Sequence, residues 1–142
     1  GVRTFFETAK STGRFIILHT GCFHVPLYKR GDAQALEEFE GFFKEYPEVR
    51  VCLAHMNRDH PEQAWAMMKK YPQLYADTSW QPAANIRQAL ATVGSDRLLL
   101  GSDWPLLHVE LQGDALSLLQ AACSDEQYEK ICCDNAEKFL GL

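Results

Sequence analysis

The chain has 142 residues, 46% apolar and 23% charged, with a formal net charge of -5. That is enough chain for one domain with a real core. The acidic balance and the lack of any Lys/Arg run exclude charge-driven binding to nucleic acid or an anionic membrane surface, and no apolar stretch approaches the roughly 20 residues that span a bilayer.

In chain order, Phe5, Phe6 and Ala9 ahead of Gly13 read as the end of a helix. Phe15 to Leu18 (FIIL) reads as a buried strand. Asp32 is placed to cap a helix with Leu36, Phe39, Phe43 and Tyr46 on one face, stopped by Pro47. Val49 to Ala54 (VRVCLA) is a second strand. Pro61 opens the next helix, with Ala64, Trp65, Met68 and Tyr71 inward. Leu74 to Thr78 (LYADT) is a third strand. After Pro82, Ile86, Leu90 and Val93 share a helix face that Gly94 closes. Arg97 to Leu100 is the fourth strand. Two helices finish the chain, one around Leu116 and Leu119, the other from the capping box Ser124 to Gln127 through Phe139.

Strands that alternate with helices imply a parallel α/β sheet, and solid apolar strands imply cover on both faces. No linker or repeat divides the chain, which reads as one domain over residues 1–142. The five cysteines form no C-x-x-C pair. They read as reduced thiols of an intracellular, cytoplasmic protein. The acidic residues Glu37, Glu38 and Glu40 read as a solvated helix face.

In parallel α/β folds the chemistry sits at the carboxyl ends of the strands. Those ends carry His19 (ILHTG), His55 (LAHMN), Asp77 to Ser79 (ADTSW) and Asp103 (LGSDWP). Each alone has a plain alternative: a hydrogen-bonded structural histidine, or an N-cap aspartate. Together they place imidazole and carboxylate on one rim, the ligand types of a catalytic divalent ion. Gly101 and Ser102 give the chain room to deliver Asp103 there. Trp80 and Trp104 follow strand ends and are positioned to stack on a planar substrate, with rim packing as the alternative for Trp80. The loop Cys22 to Gly31, which holds His24, either lines a pocket or is simply solvated.

The set LHTG, LAHM, YADTS, LLLGSDWP and the terminal NAEKFLGL resembles the amidohydrolase-related family of metal-dependent hydrolases and decarboxylases. The resemblance implies a TIM-type (β/α)8 barrel, of which this chain would supply the last four βα units and a C-terminal helix. It implies His19 as a metal ligand, Asp103 as a metal contact that also takes a proton from the nucleophilic water, and His55 as a catalytic group against substrate or the bound water. A divalent metal follows, with zinc the default and manganese or iron as alternatives. The expected activity is hydrolysis of a small polar molecule through a metal-activated water. The alternatives are a non-oxidative decarboxylase on the same scaffold, or a half barrel without catalysis.

The departure from the family pattern is the lack of a His-x-His pair, which the family's first strand contributes to the metal site. A full barrel takes roughly 200 residues or more. The chain is therefore expected to be the C-terminal half of a larger enzyme, inactive by itself. Open sheet edges would allow a symmetric homodimer of half barrels.

Overall fold

The computed structural model describes residues 1–21, 36–104 and 114–142. The loop Cys22 to Gly31, the Asp32 cap, Pro105 and His108 lie outside them. Helix α1 (Val2–Thr12) ends at Gly13, whose φ of 66° lets the backbone turn back. Phe6 and Ala9 of α1 are buried as expected, whereas Phe5 is 72% exposed. Strand β1 (Ile16–His19) follows. A single turn at Leu36–Phe39 leads into α2 (Glu40–Glu45). Leu36, Phe39, Phe43 and Tyr46 are all buried, as their spacing predicts.

Strand β2 (Val51–Ala54) is buried throughout. It is followed by α3 (Pro61–Lys70), β3 (Leu74–Asp77), α4 (Ala83–Val93) and β4 (Leu98–Leu99). Helix α5 (Ala115–Ala122) is capped by Asp114, and α6 (Asp125–Glu129) starts at the predicted capping box. The last predicted helix is interrupted. A π-helical turn at Lys130–Asp134 separates α6 from α7 (Asn135–Leu140). Apolar periodicity carries no signal for that widening, and its use is structural: the Leu100 amide donates to the Ile131 carbonyl at 3.2 Å.

The strands pair in parallel in the order β1-β2-β3-β4. Neighbours in space are neighbours in sequence, as in a barrel wall; a doubly wound sheet would reverse order at a switch point. The register aligns Ile17 with Cys52 and Cys52 with Tyr75, while His19 lies beside Ala54 and Asp77 beside Leu99. Alternation then sorts the two faces. Val51, Leu53, Leu74, Ala76 and Leu98 join the helices in the main core. On the other face Cys52 and Leu99 pack with Phe139 of α7, and Phe139 lies 4.8 Å from the Phe15 ring and 5.0 Å from that of Tyr75. Buried apolar side chains of this kind contribute on the order of 1.5–3 kcal/mol each, before the entropy of ordering them.

Strand β4 pairs with β3 over two residues only. Its backbone is held instead by the last helical segment. Besides the Ile131 bond, the fully buried Asn135 donates Nδ2 to the carbonyls of Ser95 (2.6 Å) and Leu98 (2.8 Å). No helix among the described residues is long and apolar enough to cross a membrane.

Candidate active site

The four strands bring His19, His55, Asp77 and Asp103 to one rim. His19 is the last residue of β1, and its ring meets that of His55 edge-on, centroids 5.1 Å apart. Burial lowers the His19 pKa from 6.5, the neighbouring His55 lowers it further, Asp103 acts in the opposite sense, and Arg58 adds a small lowering. The ring keeps a solvent-accessible edge, which limits the displacement. The result is an imidazole biased toward its neutral form, the one that binds metals.

The turn after β2 is unusual. His55, Met56, Asn57 and Arg58 have φ of 62°, 47°, 59° and 38°, four left-handed residues in a row without a glycine. Such backbone costs on the order of 1–2 kcal/mol per residue, so the surroundings must enforce it. They do. Thr20 Oγ1 donates to the Ala54 carbonyl at 2.5 Å and accepts from the Asn57 amide at 2.8 Å. Gln81, fully buried, donates Nε2 to the carbonyls of His55 (2.8 Å) and Arg58 (3.0 Å). Asn57 Nδ2 donates to the His60 carbonyl and to Gln63 Oε1, both at 2.9 Å.

Asp77 organises the site from below. Its Oδ1 accepts from the His55 amide at 3.2 Å, from the Ser79 amide at 2.9 Å and from the Ser79 hydroxyl. His55 Nδ1 stands 2.7 Å from Ser79 Oγ. Since the Ser79 proton goes to Asp77, the Ser79 oxygen must accept from His55. That assigns the proton of His55 to Nδ1 and makes Nε2 its basic nitrogen. Gly101 lets the strands approach: a Cβ there would lie 2.6 Å from Asp77 Oδ1.

Asp103 has a φ of 54°, which is not the extended conformation of an N-cap residue. Its Oδ2 accepts instead from Trp80 Nε1 at 2.6 Å. Trp80 also has a left-handed φ of 60°, and the Arg58 guanidinium lies over its ring at 3.8 Å from the centroid. One face of Trp80 is thus given to Arg58. Trp104 is 80% exposed. His60 lies outside this group, with Nδ1 3.3 Å from Glu62. Trp65 and Met68 are core residues, as their spacing predicts. Arg58, Ser79 and Gln81 are site residues without an assigned role at the sequence level; the polar DTS after a strand was the available signal for Ser79.

His19 and Asp103 fit a divalent cation in donor type and side of the sheet. Among the described residues no cluster of three or more His, Cys, Asp or Glu side chains is arranged to hold one.

A family model described as amidohydrolase matches residues 2–142. A curated gamma-resorcylate decarboxylase from Polaromonas sp. (strain JS666 / ATCC BAA-500) is 26% identical over 123 residues, covering 72% of this chain and 37% of that protein. Among solved structures, an uncharacterized TIM-barrel protein from Bordetella bronchiseptica superposes with a TM-score of 0.73 at 19% identity, over 99% of this chain and 50% of the other. A dihydroxybenzoic acid decarboxylase from Polaromonas sp. JS666, with bound manganese and 2-nitroresorcinol, has a TM-score of 0.73 at 20% identity, covering 98% of this chain and 53% of that one. A 5-carboxyvanillate decarboxylase from Novosphingobium aromaticivorans, complexed with manganese, gives 0.69 at 15% identity, over 99% and 51%. These likenesses show the fold, part of a TIM-type barrel. The chain spans about half the length of the solved structures named here.

Proposed function

The chain belongs to the amidohydrolase family, and from that premise we propose that it serves a metal-dependent, non-oxidative decarboxylase acting on a small hydroxylated aromatic acid. The observation that carries this reading is the recurrence of decarboxylases of aromatic acids among its relatives. They favour the decarboxylase over the hydrolase expected first from the sequence.

His19 and Asp103 would hold the cation, and a bound divalent cation supplies positive charge that orients the acid through its carboxylate and phenolic oxygens. Manganese replaces zinc as the proposed metal, because two of the related structures hold manganese. Loss of carbon dioxide breaks a ring carbon–carboxylate bond and requires one proton at that carbon. We assign the transfer of that proton to Asp103 and His55. Nε2 of His55 would take a proton from solvent and give it to that carbon as carbon dioxide leaves, while Ser79 and Asp77 stabilise the imidazolium in between. Trp104 remains the proposed stacking surface for the aromatic acid, and a homodimer the proposed assembly.

The test is to supply the purified protein, complete with the N-terminal barrel half that the metal site calls for, with Mn2+ and 2,6-dihydroxybenzoate and to follow carbon dioxide together with the phenolic product. Equimolar release that is lost in Asp103→Asn and in His55→Asn supports the reading. No release from any hydroxybenzoate, or equal release from both variants, overturns it.

A further inference from the structure

We propose that Trp80 is a positioning residue for Asp103, held in place by Arg58. The inference rests on Asp103 being a cation ligand in the proposed function. It comes from a linkage that runs along the whole rim. Gly21, beyond β1, leaves space for Arg58; a Cβ there would lie 2.7 Å from the Arg58 Cβ. Arg58, beyond β2, covers the Trp80 ring at 3.8 Å. Trp80, beyond β3, donates its indole N–H to Asp103 Oδ2 at 2.6 Å. Asp103 lies beyond β4. Four successive strand ends are therefore joined by one close approach, one stack and one hydrogen bond.

The chemistry of the linkage is directional. A guanidinium over the indole face draws electron density from the ring and sharpens its N–H as a donor. The acceptor is a carboxylate, so the bond is charge-assisted and fixes the rotamer of Asp103. Among the described residues Oδ2 is the carboxylate oxygen engaged in this way, and the inference gives Oδ1 to the cation. Outer partners of this kind commonly govern metal affinity tenfold or more. Rim packing alone would explain a half-buried indole ring. It would not explain an N–H aimed at a carboxylate from a left-handed residue, with an arginine laid across the ring from another left-handed residue.

The experiment combines proton–nitrogen correlation spectra with Mn2+ titration followed by electron paramagnetic resonance, on the parent and on Trp80→Phe, Arg58→Met, Arg58→Lys and Asp103→Asn. The Trp80 indole signal is the one missing from Trp80→Phe. It is expected at low field in the parent, displaced upfield in Asp103→Asn and Arg58→Met, and largely restored in Arg58→Lys. Trp80→Phe is expected to weaken Mn2+ binding about tenfold while its melting temperature stays near that of the parent. An indole signal indifferent to Asp103→Asn overturns the inference. So does Mn2+ binding that Asp103→Asn abolishes and Trp80→Phe leaves unchanged, and in that case the ligand role of Asp103 stands. Mn2+ binding unaffected by Asp103→Asn, or absent from the parent, removes the ligand role instead, and the indole signal alone then decides whether Trp80 positions the carboxylate.

Discussion

Gly101 of the fourth strand end lies against Asp77 of the third so closely that a single added carbon would sit 2.6 Å from Oδ1 and 2.9 Å from Cγ. The glycine is required here by proximity. Asp77 Oδ1 already accepts three hydrogen bonds, including two from Ser79. It has no room to retreat without breaking them.

Gly101→Ala should therefore damage the site as well as the fold. Overpacking of this kind costs about 1–3 kcal/mol. The displaced Asp77 would also release Ser79 and, through it, His55. Urea denaturation should show the loss of stability, and the proposed decarboxylation should fall at least about tenfold.

Ser79→Ala separates orientation from bulk. The side chain is small and buried, so the fold should lose only about 1 kcal/mol. Nδ1 of His55 loses its bond to Ser79, which no longer sets the tautomer. Turnover should drop roughly 10- to 100-fold, and nitrogen chemical shifts of His55 should report a mixture of tautomers. Retention of the parent tautomer would show that Ser79 does not set it.

Acidification should destabilise the protein through His19. Its pKa in the fold is lowered from 6.5, chiefly by burial and then by His55. The unfolded chain therefore binds the proton more readily than the folded one. The stabilising difference is full above the unfolded value and is lost as pH falls from about 6.5 through the lower folded value. Urea midpoints at neutral and mildly acidic pH should diverge in the parent and converge in His19→Asn.

Cysteine reactivity should divide sharply. Cys52 is buried beneath Asp77, and desolvation first, then the carboxylate, push its thiol well above the ordinary range. Cys133 is exposed. Iodoacetamide at neutral pH should label Cys133 in the folded protein, and Cys52 only after denaturation, as read by peptide mass spectrometry.

Much of this was legible in the sequence. Apolar strands that lead into His19, His55 and Asp103 state both the sheet and the rim that holds the candidate site, because a parallel βα unit delivers every strand end to one rim. The helix faces of Ile86 and of Trp65 with Met68 follow from spacing. The hydrogen-bonded supports were not legible. The left-handed run His55–Arg58 contains no glycine to announce it. Its stabilisers Thr20, Asn57 and Gln81 are ordinary polar residues whose partners lie up to 37 positions away. Trp80 could be placed at a strand end, but a sequence carries nothing about which face an arginine from another loop will cover. The widened turn at Lys130–Asp134 stayed hidden because its apolar pattern is that of a regular helix.

The way β4 is held has a mechanical consequence. Two ladder residues tie it to β3, while one bond from Asn135 to Leu98 and two more to the flanking Ser95 and Leu100 tie its segment to the last helical stretch. Tension applied at Leu142 would reach Asn135 and Ile131 before it reached any other strand. The first element to be unseated should be the one that carries Asp103, with β1, β2 and β3 still zipped together. A pulling experiment should record that release as an early, low-force step.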